Sequence, residues 1–403
     1  MNRITLRLGA PVVAAAVALA GVGTAQAASG SVAHASKPTY TIAYEGPLSG
    51  GNAQLGLNMK FAVQLAINQA NAGKTFKKLP FKLKFLAEDD QGSATQSPAA
   101  AQAVITNSSV VAVVGPAFSG ATKAAEPLYH AASLPTVSPS ATAPALATQG
   151  WNNFFRVVAD DNAQGPGDAT YVVKKLGAKK IYTVDDASAY AVGLVQAFGK
   201  KAQQLGATVT HQEAPGTTQC QAGTGNVQQY GALATEIKSS GAPVTFYAGY
   251  YCDFALLAKA LRADGYKGTL MSDDGSLDPH YVSEAGASVA NGTLLSCACT
   301  NLGSSKTDTT FSSQFKKLAG FAVGTYSAEA YDATNTIIKA MAKVGSHVKR
   351  SALVKALHKV VYTGLTKTVH FQPNGNIAGS TVYLYQVKNG SIVELGPVSK
   401  LVG

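Results

Sequence analysis

Residues 110–122 read VVAVVGPAFSGAT and run on into KAAEPLYHAA. The apolar run VVAVV fits a strand buried on both faces, Gly115-Pro116 ends it, and a Gly/Ser turn opens a helix. Strand, tight turn and helix form the repeating unit of a parallel sheet. Gly115 and Gly120 stand in the GxxxxG frame of a phosphate-binding loop, but Ala121 fills the place of the lysine. The loop therefore lacks the side chain that reaches the outer phosphates of a nucleotide. What remains is a helix start with free N–H donors, suited to an anion of lower charge.

The same pattern recurs on both sides. YTIAYEG (40–46), FKLKFLAEDD (81–90) and LPTVSPS (134–140) read as further strands. Helices are predicted over 54–73, with Leu57, Phe61 and Leu65 as the apolar stripe, over 98–107, with Ser97 as cap and Pro98 in the first turn, and over 123–133. The alternation breaks near FFRVVADDNAQGPGD (154–168). It restarts with the strands KKIYTVDD (179–186), VTFYAGYY (244–251) and GTLMSDDG (268–275), separated by helices near 188–206, 226–241 and 254–265. This order predicts an α/β fold of two doubly wound parallel-sheet lobes joined by a hinge. Residues 300–403 offer the helices 326–345 and 350–361 and a hairpin within 367–395, too few strands for a third lobe. The expected division is 39–160 plus 298–372 for the N-terminal lobe and 161–297 plus 373–403 for the C-terminal lobe.

The N-terminus bears on where the protein works. Arg3 and Arg7 precede the apolar PVVAAAVALAGVG, which ends in Ala25-Gln26-Ala27, the form of an export signal (1–27) cut before Ala28. No cysteine follows the cut, so no lipid anchor is expected, and 28–38 reads as a flexible leader. The mature protein is thus expected in the periplasm or secreted. The full chain carries 33 basic and 22 acidic residues; without Arg3 and Arg7 the count is 31 against 22, a net charge of +9. The lysines occur as scattered pairs with no basic run mixed with aromatics, which argues against nucleic-acid binding. Of the four cysteines, Cys220 and Cys252 are the expected disulfide. Cys297 and Cys299 share a strand face, where a bridge would be strained, and no metal-ligand spacing is present.

In open parallel sheets the ligand crevice lies beyond the carboxyl ends of the strands. The residues at those ends are Ser119 and Gly120, then Ser140, Ala141 and Thr142, then Tyr190, Tyr250 and Asp273-Asp274. The first half offers hydroxyls and helix-start N–H groups, fit for a carboxylate; the second offers phenols and carboxylates, fit for an ammonium. The pair matches a zwitterion. Asp89 and Asp90 also end a strand but read as turn formers.

The segments YEGPLSGGNAQLG, EDDQGSATQSPAAAQAV, VVGPAFSGAT, VSPSATAPAL, NNFFRVVADDNAQGP, DDASAYAVGL, YAGYYCDFALLAKALRADG and VHFQPNGNIAG together resemble the exported substrate-binding proteins of branched-chain amino-acid ABC transporters. This leucine/isoleucine/valine-binding family has the type I periplasmic-binding fold. The resemblance runs along nearly the whole mature chain, with SATAPAL and RVVADDNAQGP its most specific parts. It implies that Ser119 and Thr142, with backbone help at Ser140, hold a ligand carboxylate, and that Asp274, assisted by Tyr190 and Tyr250, holds the ammonium. Leu55 falls where the family commonly has an aromatic residue in the side-chain pocket, Asp274 replaces the usual glutamate, and Phe118 adjoins the seat. The implied partners are a small amino acid and the permease subunits of a transporter, with the protein a monomer and no cofactor. A sensor or binder of amides, urea or aromatic acids in the same fold is the alternative. GxSxG, HExxH and the Walker lysine are absent from the sequence, so no enzyme is expected.

Overall fold

In the computed structural model, five strands form an all-parallel sheet: β1 (Thr39–Gly46), β2 (Lys82–Asp89), β3 (Val110–Val114), β4 (Thr136–Ser138) and β5 (Phe154–Arg156), in the order β2-β1-β3-β4-β5. Five more, β6 (Lys180–Asp185), β7 (Thr208–Glu213), β8 (Val244–Ala248), β9 (Thr269–Ser272) and β10 (Leu294–Cys297), repeat that winding as β7-β6-β8-β9-β10. The pair β11 (Tyr362–Thr363) and β12 (Thr368–Val369) stands apart. The hairpin β13 (Tyr383–Lys388) and β14 (Ser391–Pro397) extends the second sheet by pairing antiparallel with β10. The structure describes residues 36–216, 227–300, 309–379 and 381–402; the expected export signal (1–27) and Cys220, half of the expected disulfide, lie outside them.

The fold is the α/β arrangement of two doubly wound parallel sheets expected from the sequence. Each sheet reverses its winding once, between β1 and β3 and between β6 and β8, and a doubly wound sheet binds ligands at such a switch point. Around the strands pack α1 (Ala53–Asn71), α2 (Ser97–Thr106), α3 (Ser119–Ala131), α4 (Asp161–Thr170), α5 (Ala189–Gln204), α6 (Gly231–Ser240) and α7 (Tyr251–Ala263). The late helix Ser327–Val344 lies against α1, β3 and β4, so the chain returns to the first sheet after building most of the second.

Several local expectations change. The buried stripe of α1 runs through Leu55, Met59, Ala62, Ala66 and Ala70. Leu57 and Phe61 are only half-buried, and Phe61 packs edge-on against Phe321. Ser97 caps nothing: its hydroxyl donates to Glu45 at 2.5 Å and to the Ala121 carbonyl at 3.0 Å, tying the N-terminus of α2 to its neighbours. Strands β5 and β7 are not among the strands expected from the sequence. β5 has three residues, and β7 is a sheet edge whose side chains are all exposed or half-buried, so neither shows a strong apolar alternation. Asp89 and Asp90 do serve turns, accepting from Leu48 and Gln91 and from Gly92.

Cys297 and Cys299 are disulfide-bonded to each other, contrary to expectation. β10 ends at Cys297 and the chain bends over the next two residues, which brings the Cα atoms to 5.0 Å, inside the range a disulfide spans. Trp151, the one tryptophan, packs on a small cluster of Ala141, Ala143, Leu146 and Phe154 beside the loop that follows β4.

Candidate functional site

The loop from β3 into α3 is set by Gly115. Its φ is +125°, and a Cβ there would stand 2.4 Å from the Glu45 carbonyl oxygen. Only glycine lets β3 end against β1 in this way. Phe118 then takes the extended N-cap position and Ser119 the first helical one, so the free N–H groups of the first turn face out beyond the strand ends. Ser119 Oγ accepts from the Ala143 N–H at 3.2 Å, and Ser140 Oγ donates to the Ala117 carbonyl at 2.7 Å. These bonds join the loops after β3 and β4 into one surface. Thr142 is fully buried beside Asp161, whose carboxyl pKa burial raises and the Thr142 hydroxyl acts to lower.

Arg156, at the end of β5 where the chain crosses toward the second sheet, fixes that surface from behind. Its guanidinium donates to the carbonyls of Ala141 and Ala143 at 3.1 and 2.9 Å, to Asn376 at 2.8 Å and to Asp160 at 3.1 Å. Burial lowers the pKa of Arg156, and the carboxylates of Asp160 and Asp161 oppose that shift. The Asp161 N–H also donates to the Thr142 carbonyl at 3.1 Å. Seat loop and crossing segment are thereby one hydrogen-bonded unit.

The second sheet contributes the acid. Asp273 accepts from the N–H groups of Gly275 and Gly249, both at 3.1 Å, and so stitches the end of β9 to that of β8. This turns Asp274 toward the aromatics. Tyr190 donates to Asp274 Oδ1 at 2.7 Å, and Tyr326 donates to Oδ2. Burial holds the Asp274 carboxyl above its ordinary pKa, while the hydrogen bonds from Tyr326, Tyr190 and Gln164 act in the opposite direction. No ion pair among the described residues reaches it.

Between these two surfaces lies a narrow cavity of about 10 Å³, lined by Leu55, Ala117, Phe118, Ser119, Ser140, Tyr190, Tyr250, Asp274, Gly275 and Tyr326. Seven of the eight residues singled out from the sequence meet here; Thr142 is buried nearby but is not in the lining. Tyr326 was read as the first residue of a helix. It is instead the residue before that helix, at φ +67°, a left-handed conformation that a tyrosine rarely adopts. The backbone holds this strained position while the phenol reaches Asp274. The GTY sequence preceding an amphipathic helix was the available signal.

A family profile described as periplasmic binding protein matches residues 39–391. The Leu/Ile/Val-binding protein homolog 3 of Brucella melitensis biotype 1 is 28% identical over 359 residues, which cover 88% of this chain and 93% of that protein. The branched-chain amino acid transporter substrate binding protein LivJ from Streptococcus pneumoniae, solved in complex with isoleucine, superposes with a TM-score of 0.78 at 25% identity, over 89% of this chain and 100% of that one. A solute binding protein of an ABC transporter from R. palustris, in complex with benzoate, gives a TM-score of 0.76 over 89% of this chain and 96% of that one. At 19% identity this last likeness shows the fold alone.

Proposed function

Because the chain belongs to the periplasmic binding protein family, we propose that it is an exported solute-binding protein of an ABC importer. It captures a small α-amino acid, branched-chain or a related zwitterion, between two lobes that close by a hinge. The observation that carries this reading is Asp274, a buried carboxyl gripped by two phenols, with no ion pair among the described residues. An α-ammonium supplies the missing charge. The ligand carboxylate then rests on the Ser119 hydroxyl and the N–H groups that open α3, with the Thr142 hydroxyl as a further donor. The named function of the Brucella relative and the isoleucine in the Streptococcus structure support the same ligand class.

The lobes are residues 39–160 with 298–372 and residues 161–297 with 373–403. Phe118 stacked on Tyr250, and the Tyr251 hydroxyl donating to the Gly51 carbonyl at 2.6 Å, are contacts across the cleft that fit a closed state. In that state the protein meets its permease, after export and removal of residues 1–27, as a monomer in the periplasm or outside the cell. The site binds rather than reacts, since Asp274 is engaged by phenols and the relatives are named as binding proteins.

A thermal-shift screen of residues 28–403, stripped of carried-over ligand by unfolding and refolding, tests the reading against amino acids, amides, urea and aromatic acids. A large shift with leucine, isoleucine or valine is expected. Silence from every amino acid with a response to benzoate would favour the second reading, an aromatic-acid binder, for which the Phe118, Tyr190 and Tyr250 rings speak. Turnover of any amino-acid derivative would overturn the assignment to binding.

A further inference from the structure

The cleft has a second hollow outside the first. It holds about 490 Å³, is open among the described residues, and is lined by Asn52, Gln91 and Gln96 on the side of the first sheet and by Asp186, Ser188 and Asp253 on the side of the second. Tyr250 lines both spaces. Its ring stacks on that of Phe118, with centroids 4.3 Å apart and planes 20° from parallel. Phe118 comes from the loop before α3 and Tyr250 from the loop after β8, so the stack bridges the cleft. Behind Phe118 stands Gly92, which also lines the outer hollow. A Cβ on Gly92 would lie 2.6 and 2.7 Å from Cδ2 and Cε2 of the phenylalanine ring, and the φ of Gly92 is +67°. Only a glycine there leaves the ring its place.

The two spaces differ in chemistry. On the inner side Leu55, Ala117 and Phe118 supply the apolar part of the lining. On the outer side stand two carboxylates and side-chain amides. A cationic side chain confined to the inner space would lose its water against apolar walls with no counter-charge, which is strongly unfavourable. The same side chain, if it could pass the rings, would reach Asp186 and Asp253.

We propose that the Phe118–Tyr250 stack is a partition that restricts the site to α-amino acids with short uncharged side chains, by sealing the cavity from an acidic vestibule that would otherwise accept the cationic end of lysine or arginine. The proposal rests on the amino-acid reading above. It makes Phe118 the residue that decides ligand class, while Asp274 and Ser119 recognise the part common to all amino acids.

The test is calorimetric titration of the stripped wild type, Phe118→Ala, Phe118→Leu, and Phe118→Ala combined with Asp186→Asn, with valine, lysine, arginine, benzoate and 4-(aminomethyl)benzoate. Urea melts and circular dichroism establish that each variant is folded. The wild type is expected to prefer valine to lysine by at least about 100-fold, more than about 2.7 kcal/mol. Phe118→Ala should narrow that ratio at least tenfold through a gain in lysine and arginine affinity. Adding Asp186→Asn should reverse the gain while keeping valine affinity within about twofold of that of Phe118→Ala alone. Phe118→Leu, still an apolar plug, should keep the wild-type ratio.

An unchanged valine-to-lysine ratio in Phe118→Ala, with the protein folded, overturns the partition. Failure of the wild type to bind any amino acid while it binds benzoate overturns the amino-acid reading instead. The partition is then decided by benzoate against 4-(aminomethyl)benzoate, where Phe118→Ala must again narrow the ratio. No binding to any of the five ligands overturns both.

Discussion

At the residue scale the site rests on few side chains, and each makes a separable claim. Asp274→Ala leaves the fold intact and costs about 3 kcal/mol of amino-acid binding, the loss expected when a buried charge is deprived of its partner; Ser119→Ala costs less. Titration calorimetry reads both, and a variant set that unfolds with no separate effect on ligand would mean these residues are structural. Tyr326→Phe removes one hydrogen bond from Asp274 and weakens binding by about 1 kcal/mol, again by titration, with the urea midpoint little changed. Most of the candidate site was legible because strand ends in a doubly wound sheet are where ligands bind, so Ser119, Ser140, Tyr190, Tyr250 and Asp274, which line one cavity, could be singled out by counting strands. Tyr326 escaped that rule. It belongs to no strand end, and its place depends on a left-handed backbone and on the return of the chain to the first sheet, neither of which a local pattern records.

At the scale of elements, the loop between β3 and α3 is the most constrained. Gly115→Ala adds a Cβ 2.4 Å from the Glu45 carbonyl in a backbone conformation that L-residues avoid. It should destabilise the protein by more than about 2 kcal/mol, read as a lowered urea midpoint. A midpoint equal to wild type would mean the loop relaxes freely. Strands buried on both faces, β3 and β8, were plain in the sequence, since every residue in them is buried and most are apolar. The sheet-edge strand β7 was not, because an edge tolerates Thr208, His211, Gln212 and Glu213 on exposed or half-buried positions. Ser97 shows the converse: its sequence context fits a helix cap, but a buried Glu45 takes its hydroxyl. Tertiary contact overrode the local preference.

For the whole molecule, the buried acids set a direction for stability against pH. Burial raises Glu45 to about 8, Asp90 to about 7, Glu329 to about 7 and Asp186 to about 6. Unfolded carboxyls titrate near 4. The folded chain therefore keeps protons that the unfolded chain has lost, so the stability from these groups is full below about pH 4 and is lost as pH rises through about 6 to 8. Urea midpoints are expected to be higher at pH 5 than at pH 8.5, by at least about 2 kcal/mol in unfolding free energy. A flat or rising profile would show that these carboxyls are ionised in the fold. The two-sheet architecture was readable at this scale from the alternation of strands and helices. The crossing knit by Arg156 was not, because its partners Ala141, Ala143 and Asn376 are brought together only by the tertiary structure.

The small cluster under Trp151 gives the molecule a light source of its own. The chain has one indole, and it rests on Ala141 and Ala143, whose carbonyls Arg156 holds and whose neighbours are Ser140 and Thr142. Any shift of that loop on seating a carboxylate changes the packing of the indole, so saturating leucine should alter the emission of unlabelled protein under selective excitation at the red edge of the indole band. An unaltered spectrum, with binding confirmed by calorimetry, would mean the loop is rigid and the ligand is received without movement on that side. Either way, the one indole reports on one wall of the cleft, and signal from the tyrosines near Asp274 can be kept apart from it by wavelength alone.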